Sequence, residues 1–269
     1  MRLRATRLHI KDWMAGTQTY NMGKLILPNR RLERPASFRP NIKPTWPVEI
    51  DWDHPFSRIP KIALFSDSSG VTNLIDGTKS VNVNSPTISV GSGGQKIDYN
   101  GTNQYSKILA GPGINFADLC NGDMTISIRL QTLASNNFCF GFGSSSNSIP
   151  VFLLQGDDQA RCFVRSDNNS ASNIRGGPNI NDGISHTIVI QRKGPVTNLH
   201  TDGALVATES RTHTNWDDID LLTLGGLGRS SYSNFWAGSF YEINIWDSFL
   251  SASEIARQYQ DPFQFLIPK

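Results

Sequence analysis

The sequence predicts an all-β fold, a two-sheet antiparallel sandwich, and three observations carry that prediction. Apolar residues are 38% and charged residues 18% of the 269, alongside 23 Gly and 14 Pro. That balance is too apolar for a disordered chain and too rich in helix breakers for a bundle. From Lys61 onward, short β-prone runs alternate with turn clusters at short intervals. Where the alternation is clearest, Met124, Ile126, Ile128 and Leu130 face one way and Thr125, Ser127 and Arg129 the other, as a half-buried strand requires. No apolar run approaches the roughly 18–20 residues of a membrane-spanning helix.

In chain order the first element is an arm, residues 1–60. Met1 to Pro44 holds ten Lys/Arg against Asp12 and Glu33, a net of +8, and the rest of the chain carries −6. Seven of the 14 prolines fall between Pro28 and Pro60, which fixes φ and removes ladder donors, so this stretch is expected to be extended. Arg2, Arg4, Arg7, Arg30, Arg31 and Arg34 supply charge, and Trp13, Phe38, Trp46 and Trp52 supply aromatic anchors that need a surface to bury against. The arm could wrap its own domain or dock on another chain or subunit. Contact with nucleic acid through counterion release is disfavoured by the acidic body. The N-terminal basic residues have no apolar stretch behind them, so no secretory signal is expected.

The body, residues 61–269, is read as strands over Ile62–Phe65, Gln95–Tyr99, Tyr105–Leu109, Met124–Leu130, Phe138–Phe142, Val151–Leu154, Arg161–Arg165, His186–Arg192, Thr197–Thr201, Leu221–Leu224 and Ser239–Trp246. Asn100-Gly101, Asn121-Gly122, Gly176-Gly177-Pro178, Asn181-Asp182-Gly183 and Asp202-Gly203 are read as breaks. In the longest strand, Tyr241, Ile243 and Ile245 are assigned to one face and Phe240, Glu242, Asn244 and Trp246 to the other. One short helix is expected near the C-terminus, opened by capping-box spacing from Ser251 to Glu254 and stopped at Asp261-Pro262. The apolar tail from Phe263 to Pro268 needs covering, by the sandwich or by a neighbour.

Four segments carry a family resemblance. They are Ile97-Asp-Tyr-Asn-Gly-Thr-Asn-Gln-Tyr, Met124-Thr-Ile-Ser-Ile-Arg, the pair Ser185-His-Thr-Ile-Val-Ile with Leu199-His-Thr-Asp-Gly-Ala-Leu-Val, and Trp236-Ala-Gly-Ser-Phe-Tyr-Glu-Ile-Asn-Ile-Trp-Asp followed by Leu-Ser-Ala-Ser-Glu-Ile. Together they resemble the laminin-G-like, concanavalin A-like jelly-roll domains from about Lys61 to the end. Departures are Ser185, where the family has Trp before the His, and Thr201, where it has Val before Asp-Gly. Ile50-Asp-Trp-Asp-His-Pro-Phe and Asp261-Pro-Phe-Gln-Phe are similar to stand-alone proteins of this type from tailed bacteriophages. The resemblance implies a virion component, a capsid decoration or a tail-associated protein. Fold alone does not fix that role.

Most catalytic chemistry finds no support. Glucan cleavage on such a sheet needs carboxylates at i, i+2 and i+4, on one face of a strand. The best strand offers Glu242, Asn244 and Trp246, so the pair is missing. A Ser–His–Asp site has no Gly-x-Ser-x-Gly elbow, although composition leaves it open. His54, His186, His200 and His213, and Cys120, Cys139 and Cys162, lack zinc spacing; the cysteines read as packing residues. Calcium has weak candidates in Asp157, Asp158, Asp217, Asp218 and Asp220, read chiefly as solvated turn residues. Glycan stacking has candidates in Trp216, Tyr232 and Trp236, with core or interface burial as the alternative.

The expected function is therefore non-enzymatic. The first reading is a virion structural protein held through its arm, made in the host cytoplasm, without cofactor, and forming an oligomer or symmetric array with other virion proteins. The second is a carbohydrate-binding adhesin that meets host glycans. A glycan-active enzyme is the third.

Overall fold

The computed structural model describes residues 48–51, 59–111, 113–135, 137–148, 151–156, 158–166 and 171–268. The arm candidates Arg2, Arg4, Arg7, Trp13, Arg30, Arg31, Arg34, Phe38, Trp46 and Trp52, and the calcium candidate Asp157, lie outside the described residues.

The strands begin with β1 (Val48–Ile50), β2 (Ile62–Asp67), β3 (Gly70–Asn73), β4 (Val81–Val83), β5 (Thr87–Gly91), β6 (Gly94–Asn100) and β7 (Tyr105–Leu109). After helix α1 (Phe116–Asn121) come β8 (Met124–Gln131), β9 (Asn137–Gly143), β10 (Val151–Gly156), β11 (Gln159–Arg165), β12 (Ala171–Asn179), β13 (Ser185–Lys193), β14 (Val196–Thr201) and β15 (Ala204–Ser210). The chain closes with β16 (Leu221–Leu224), β17 (Leu227–Gly228), β18 (Tyr232–Ser233), β19 (Ala237–Trp246), helix α2 (Ala252–Gln260) and β20 (Leu266–Pro268).

Two antiparallel sheets face each other. One has seven strands in the order β12-β11-β10-β9-β16-β7-β4. The other has nine, running β15-β14-β13-β8-β19-β2-β3, with β6 also paired to β19 and β5 to β6. Alternation does the work: Ile126, Ile128, Ile188, Ile190, Ile243 and Ile245 from the nine-stranded sheet meet Ile108, Phe140, Phe142, Leu154, Val164, Leu222 and Leu224 from the seven-stranded one. Each such side chain removed from water contributes about 1.5–3 kcal/mol, offset by the entropy of ordering it. The sandwich expected from the pattern is the sandwich that forms, and Cys120, Cys139 and Cys162 are buried in it as packing residues.

Three local expectations are corrected. A register shift between Phe240 and Glu242 opposite β8 puts Phe240 in the core with Ile243 and Ile245. Tyr241 turns outward and its hydroxyl donates to Gln131 Oε1 at 2.8 Å. The extra residue of a bulge breaks the period-two count. Second, Gly176-Gly177-Pro178 is not a break between strands; it lies inside β12, with Gly177 at φ +93° where the register against β11 slips. An edge strand tolerates the proline. Third, α1 was not expected. Asn115 caps it by accepting from the Asp118 amide, and Phe116, Leu119 and Cys120 bury one side.

Part of the outer face of the nine-stranded sheet is covered by the C-terminus. Helix α2 has the expected capping box and packs Ile255 against Val189, Trp246 and Leu250. The tail folds back so that Phe263, Phe265 and Leu266 bury with Ala63, Phe65 and Ile50. Strand β1 pairs with β20, so residues 48–51, which sequence analysis places in the arm, pack in the body.

Candidate functional site

The opposite outer face, that of the seven-stranded sheet, has a different chemistry. With Ala160, Cys162 and Val164 in the core, β11 turns Arg161, Phe163 and Arg165 outward. Strand β12 turns Asn173 and Arg175 outward, and β7 turns Tyr105, Lys107 and Leu109 outward. None of the seven strands contains an Asp or a Glu.

Part of this face lies under the β17–β18 hairpin. Thr223, in the centre of β16, is buried beneath it; its hydroxyl donates to the Gly226 carbonyl at 3.1 Å and accepts from the Gly228 amide at 3.2 Å. The hairpin backbone lies directly on the sheet because both sides are glycine: a Cβ at Gly143 would collide with the Gly228 carbonyl oxygen, and one at Gly228 with Thr223. Leu227 packs against the half-buried Phe138 and Phe163.

The hairpin carries two groups into place. Tyr232 stacks on Tyr105, ring centroids 4.2 Å apart and planes 18° apart, and Tyr105 stacks in turn on Phe235 at 5.9 Å. All three rings are half-buried, with Lys107 Nζ 5.6 Å from the Tyr232 centroid. Burial pushes both phenols up, Tyr232 further through Tyr105 and Asp220, so both hydroxyls keep their protons at neutral pH. At the other end Arg229 Nη1 and Arg165 Nη2 both donate to the Ser148 carbonyl, at 3.2 and 2.7 Å. Burial and the neighbouring Arg229 charge lower the Arg165 pKa. Arg161 Nε donates to Asn173 Oδ1 at 2.6 Å, and Arg161 stands directly opposite Arg175 in the ladder.

Of the three glycan-stacking candidates only Tyr232 reaches this surface. Trp216 is 1% exposed and Trp236 0%, so neither offers a ring face to a ligand. Trp216 Nε1 donates to the Arg165 carbonyl at 3.0 Å, and the Arg192 guanidinium covers its ring at 4.1 Å. Trp236 packs on Phe240 at 4.9 Å. Both rings are large enough that the sandwich uses them as core.

The four described acidic candidates each meet a different partner. Asp217 accepts from Asn121 at 2.9 Å, Asp218 from Asn147 at 3.0 Å, Asp220 from the Ser145 amide at 2.7 Å, and Asp158 from Asn181 at 3.2 Å. Each holds a different loop contact, and among the described residues no three His, Cys, Asp or Glu side chains gather as a metal site would require.

Other chemistry is equally internal. Glu242 is buried on the far side of the molecule, in the nine-stranded sheet opposite Arg129. Ser172 Oγ and His213 Nε2 are 2.8 Å apart, but both residues are buried. The residues missed by sequence reasoning are Tyr105, Lys107, Arg161, Arg165, Arg175, Arg229 and Phe235. The one legible signal was Arg161-x-Phe163-x-Arg165, a polar-faced strand with no acid in it.

Comparison with known proteins places this architecture. Residues 100–256 match the family model for the concanavalin A-like lectin/glucanases superfamily. Similar solved structures include the binding domain of Paraclostridial Mosquitocidal Protein 1 (14% identity, TM-score 0.58, 75% of this chain and 52% of that one). The binding domain of botulinum neurotoxin DC in complex with SialylT is similar at 11% identity and TM-score 0.55, over 74% of this chain and 50% of that one. The CBM40 of the Ruminococcus gnavus IT-sialidase is similar at 16% identity and TM-score 0.50, over 67% of this chain and 96% of that one. This chain spans about half the length of the toxin binding domains. No curated protein matches the sequence. At these identities the structures speak for fold, whereas the family match covers more than half of the 269 residues: the chain belongs to the concanavalin A-like lectin/glucanases superfamily.

Proposed function

We propose that this chain is a non-catalytic carbohydrate-binding sandwich whose ligand lies on the outer face of the seven-stranded sheet. The observation that carries this reading is the half-exposed aromatic group Tyr105–Tyr232–Phe235, set beside Lys107 on a strand face. Aromatic rings with a few polar groups are what a sugar's apolar face and hydroxyls need. The complex of a similar toxin domain with SialylT and the similarity to a sialidase CBM40 support it. That the similar solved structures are binding domains supports binding without cleavage. A glycan array followed by titration calorimetry tests it. Tyr232→Ala should weaken the best ligand at least about tenfold, the loss of roughly 1.4 kcal/mol, with Tm unchanged within a few degrees. Undiminished binding by that variant would sink the reading.

A second reading concerns assembly. The +8 charge of Met1–Pro44 against −6 elsewhere favours a role in which the arm fastens the domain to other virion proteins in a phage particle, in symmetric copies, with the binding face turned outward. Multivalency would then make weak glycan contacts sufficient. Mass spectrometry and cryo-EM of purified particles test it. Stoichiometric copies support attachment, and absence from particles overturns it.

A further inference from the structure

The chain contains two Asn-Gly pairs, Asn100-Gly101 and Asn121-Gly122. In such a pair the glycine nitrogen can attack the asparagine Cγ and close a five-membered ring, and glycine puts no side chain in the way. At the first pair the electrophile is prepared for that attack. Asn100 is exposed at the end of β6, and Gly101 turns the chain at φ +74°. Asn100 Oδ1 accepts from three successive amides, Thr102 at 2.9 Å, Asn103 at 3.3 Å and Gln104 at 3.4 Å. Convergent N–H donors stabilise the negative charge that forms on a carbonyl oxygen when a nucleophile adds to its carbon. The bond to the amide two residues ahead also folds the side chain over the Gly101 peptide. The Gly101 N–H itself donates to no backbone carbonyl among the described residues.

At the second pair the same groups are tied up. The Gly122 N–H caps α1 by donating to the Asp118 carbonyl at 2.9 Å. Asn121 Nδ2 donates to Asp217 at 2.9 Å, and its Oδ1 accepts from the Trp216 amide at 3.2 Å. Exposure does not separate the two sites, because Asn121 is exposed as well. What differs is the freedom of the nucleophile and the number of donors on the electrophile.

We propose that Asn100 is a self-modification site, converted through a succinimide to aspartate and isoaspartate with water as the co-reactant. Solvent base takes the Gly101 amide proton. The nitrogen bonds to Asn100 Cγ, and Oδ1 carries the charge beneath its three donors. The Cγ–Nδ2 bond then breaks, and Nδ2 takes a proton from solvent and leaves as ammonia. Water opens the ring at either carbonyl, and nothing is oxidised or reduced. Opening at the side-chain carbonyl gives aspartate. Opening at the backbone carbonyl gives isoaspartate, whose main chain runs through Cβ and Cγ and is one atom longer. The turn depends on the original spacing: the Asn100 amide donates to Gln104 Oε1 at 2.9 Å, and Gln104 Nε2 donates to the Asn84 and Ser85 carbonyls at 3.1 and 3.0 Å. Isoaspartate at residue 100 therefore loosens the link between these two turns. None of this depends on the glycan-binding reading.

The test holds the full chain for several weeks at physiological temperature in mildly alkaline buffer, folded in one sample and unfolded in guanidinium chloride in another. Cleavage after Lys96, Lys107 and Arg129 puts the two pairs on separate peptides, residues 97–107 and 108–129. Mass spectrometry reads the replacement of –NH2 by –OH, and fragmentation assigns it to residue 100 or 121. In the folded protein Asn100 should convert at least about tenfold faster than Asn121, giving two isomers of one mass that separate by chromatography. Conversion should slow in mildly acidic buffer, where less base is present to take the amide proton. In the unfolded chain the two pairs should convert at similar rates, because only the fold distinguishes them. An unmodified Asn100, or equal conversion of both pairs in the folded protein, would overturn the site. Conversion of Asn100 that slows on folding would show that the three amides protect the side chain rather than activate it, and would overturn it equally.

Discussion

His186 shows how a single residue can be fixed by its surroundings. It is buried on β13, with Nδ1 2.8 Å from Asp202 and Nε2 3.2 Å from Asp182. The Asp202 hydrogen bond raises its pKa above the usual 6.5, against the opposing effect of burial. Because the folded value is the higher one, the stabilisation is fully present below about pH 6.5 and is lost as pH rises through the folded pKa. The stability gap between wild type and His186→Asn should therefore be larger at pH 5.5 than at pH 8.5, by about 1 kcal/mol after solvent screening. Urea melts at the two pH values measure it, and a gap independent of pH would contradict the assignment. Trp216 belongs at the same scale. Removing a ring that carries Arg192 on one face and donates to Arg165 should cost about 3–5 kcal/mol in Trp216→Ala, where Tyr232→Ala costs little.

At the scale of elements, the hairpin β17–β18 and helix α2 depend on local chemistry that can be tested separately. The hairpin touches the sheet through Gly143 and Gly228. Gly143→Ala should lift it, withdraw Tyr232 from Tyr105 and weaken glycan binding, while the sandwich keeps its far-UV circular dichroism. Amide exchange at Gly228, whose N–H donates to Thr223, should speed up sharply. Helix α2 depends on its cap: Ser251 accepts from the Glu254 amide at 3.3 Å and Glu254 returns to the Ser251 amide at 2.6 Å. Ser251→Ala should cost about 1 kcal/mol, seen as faster exchange in α2.

For the whole molecule, the boundary of the foldable unit is set by pairing of its two ends. Val48–Ile50 pairs with Leu266–Pro268, and Ile50 buries with Phe65 and Phe263. A chain starting at residue 45 keeps β1 whole and is the reference. One starting at residue 61 leaves β20 without its partner and should melt several degrees lower, as a loss of about 2 kcal/mol does for a domain of this size. Equal melting temperatures would show that β1 adds nothing. The molecule is also divided electrically. Strands of the seven-stranded sheet carry Lys107, Arg161, Arg165 and Arg175 and no acid, while α2 and the tail pack on part of the other outer face.

The sequence by itself determined the fold class, because period-two alternation and turn residues act over a few positions and need no distant partner. Tyr105–Leu109 and Leu221–Leu224 form where the pattern put them, and Ser251 caps α2 as its spacing required. The surface proposed to bind glycan was not legible in the same way. Whether an aromatic is core or surface depends on what crosses above it: Trp216 and Trp236 look as available in the sequence as Tyr232, and only the packed sandwich buries them. The bulge at Phe240–Glu242 arises from register against β8, which local propensity does not encode. Arg165 and Arg229 are 64 positions apart and meet at Ser148 only because a glycine-backed hairpin crosses the sheet. Short-range patterning set the strands; long-range closure decided which side chains they share.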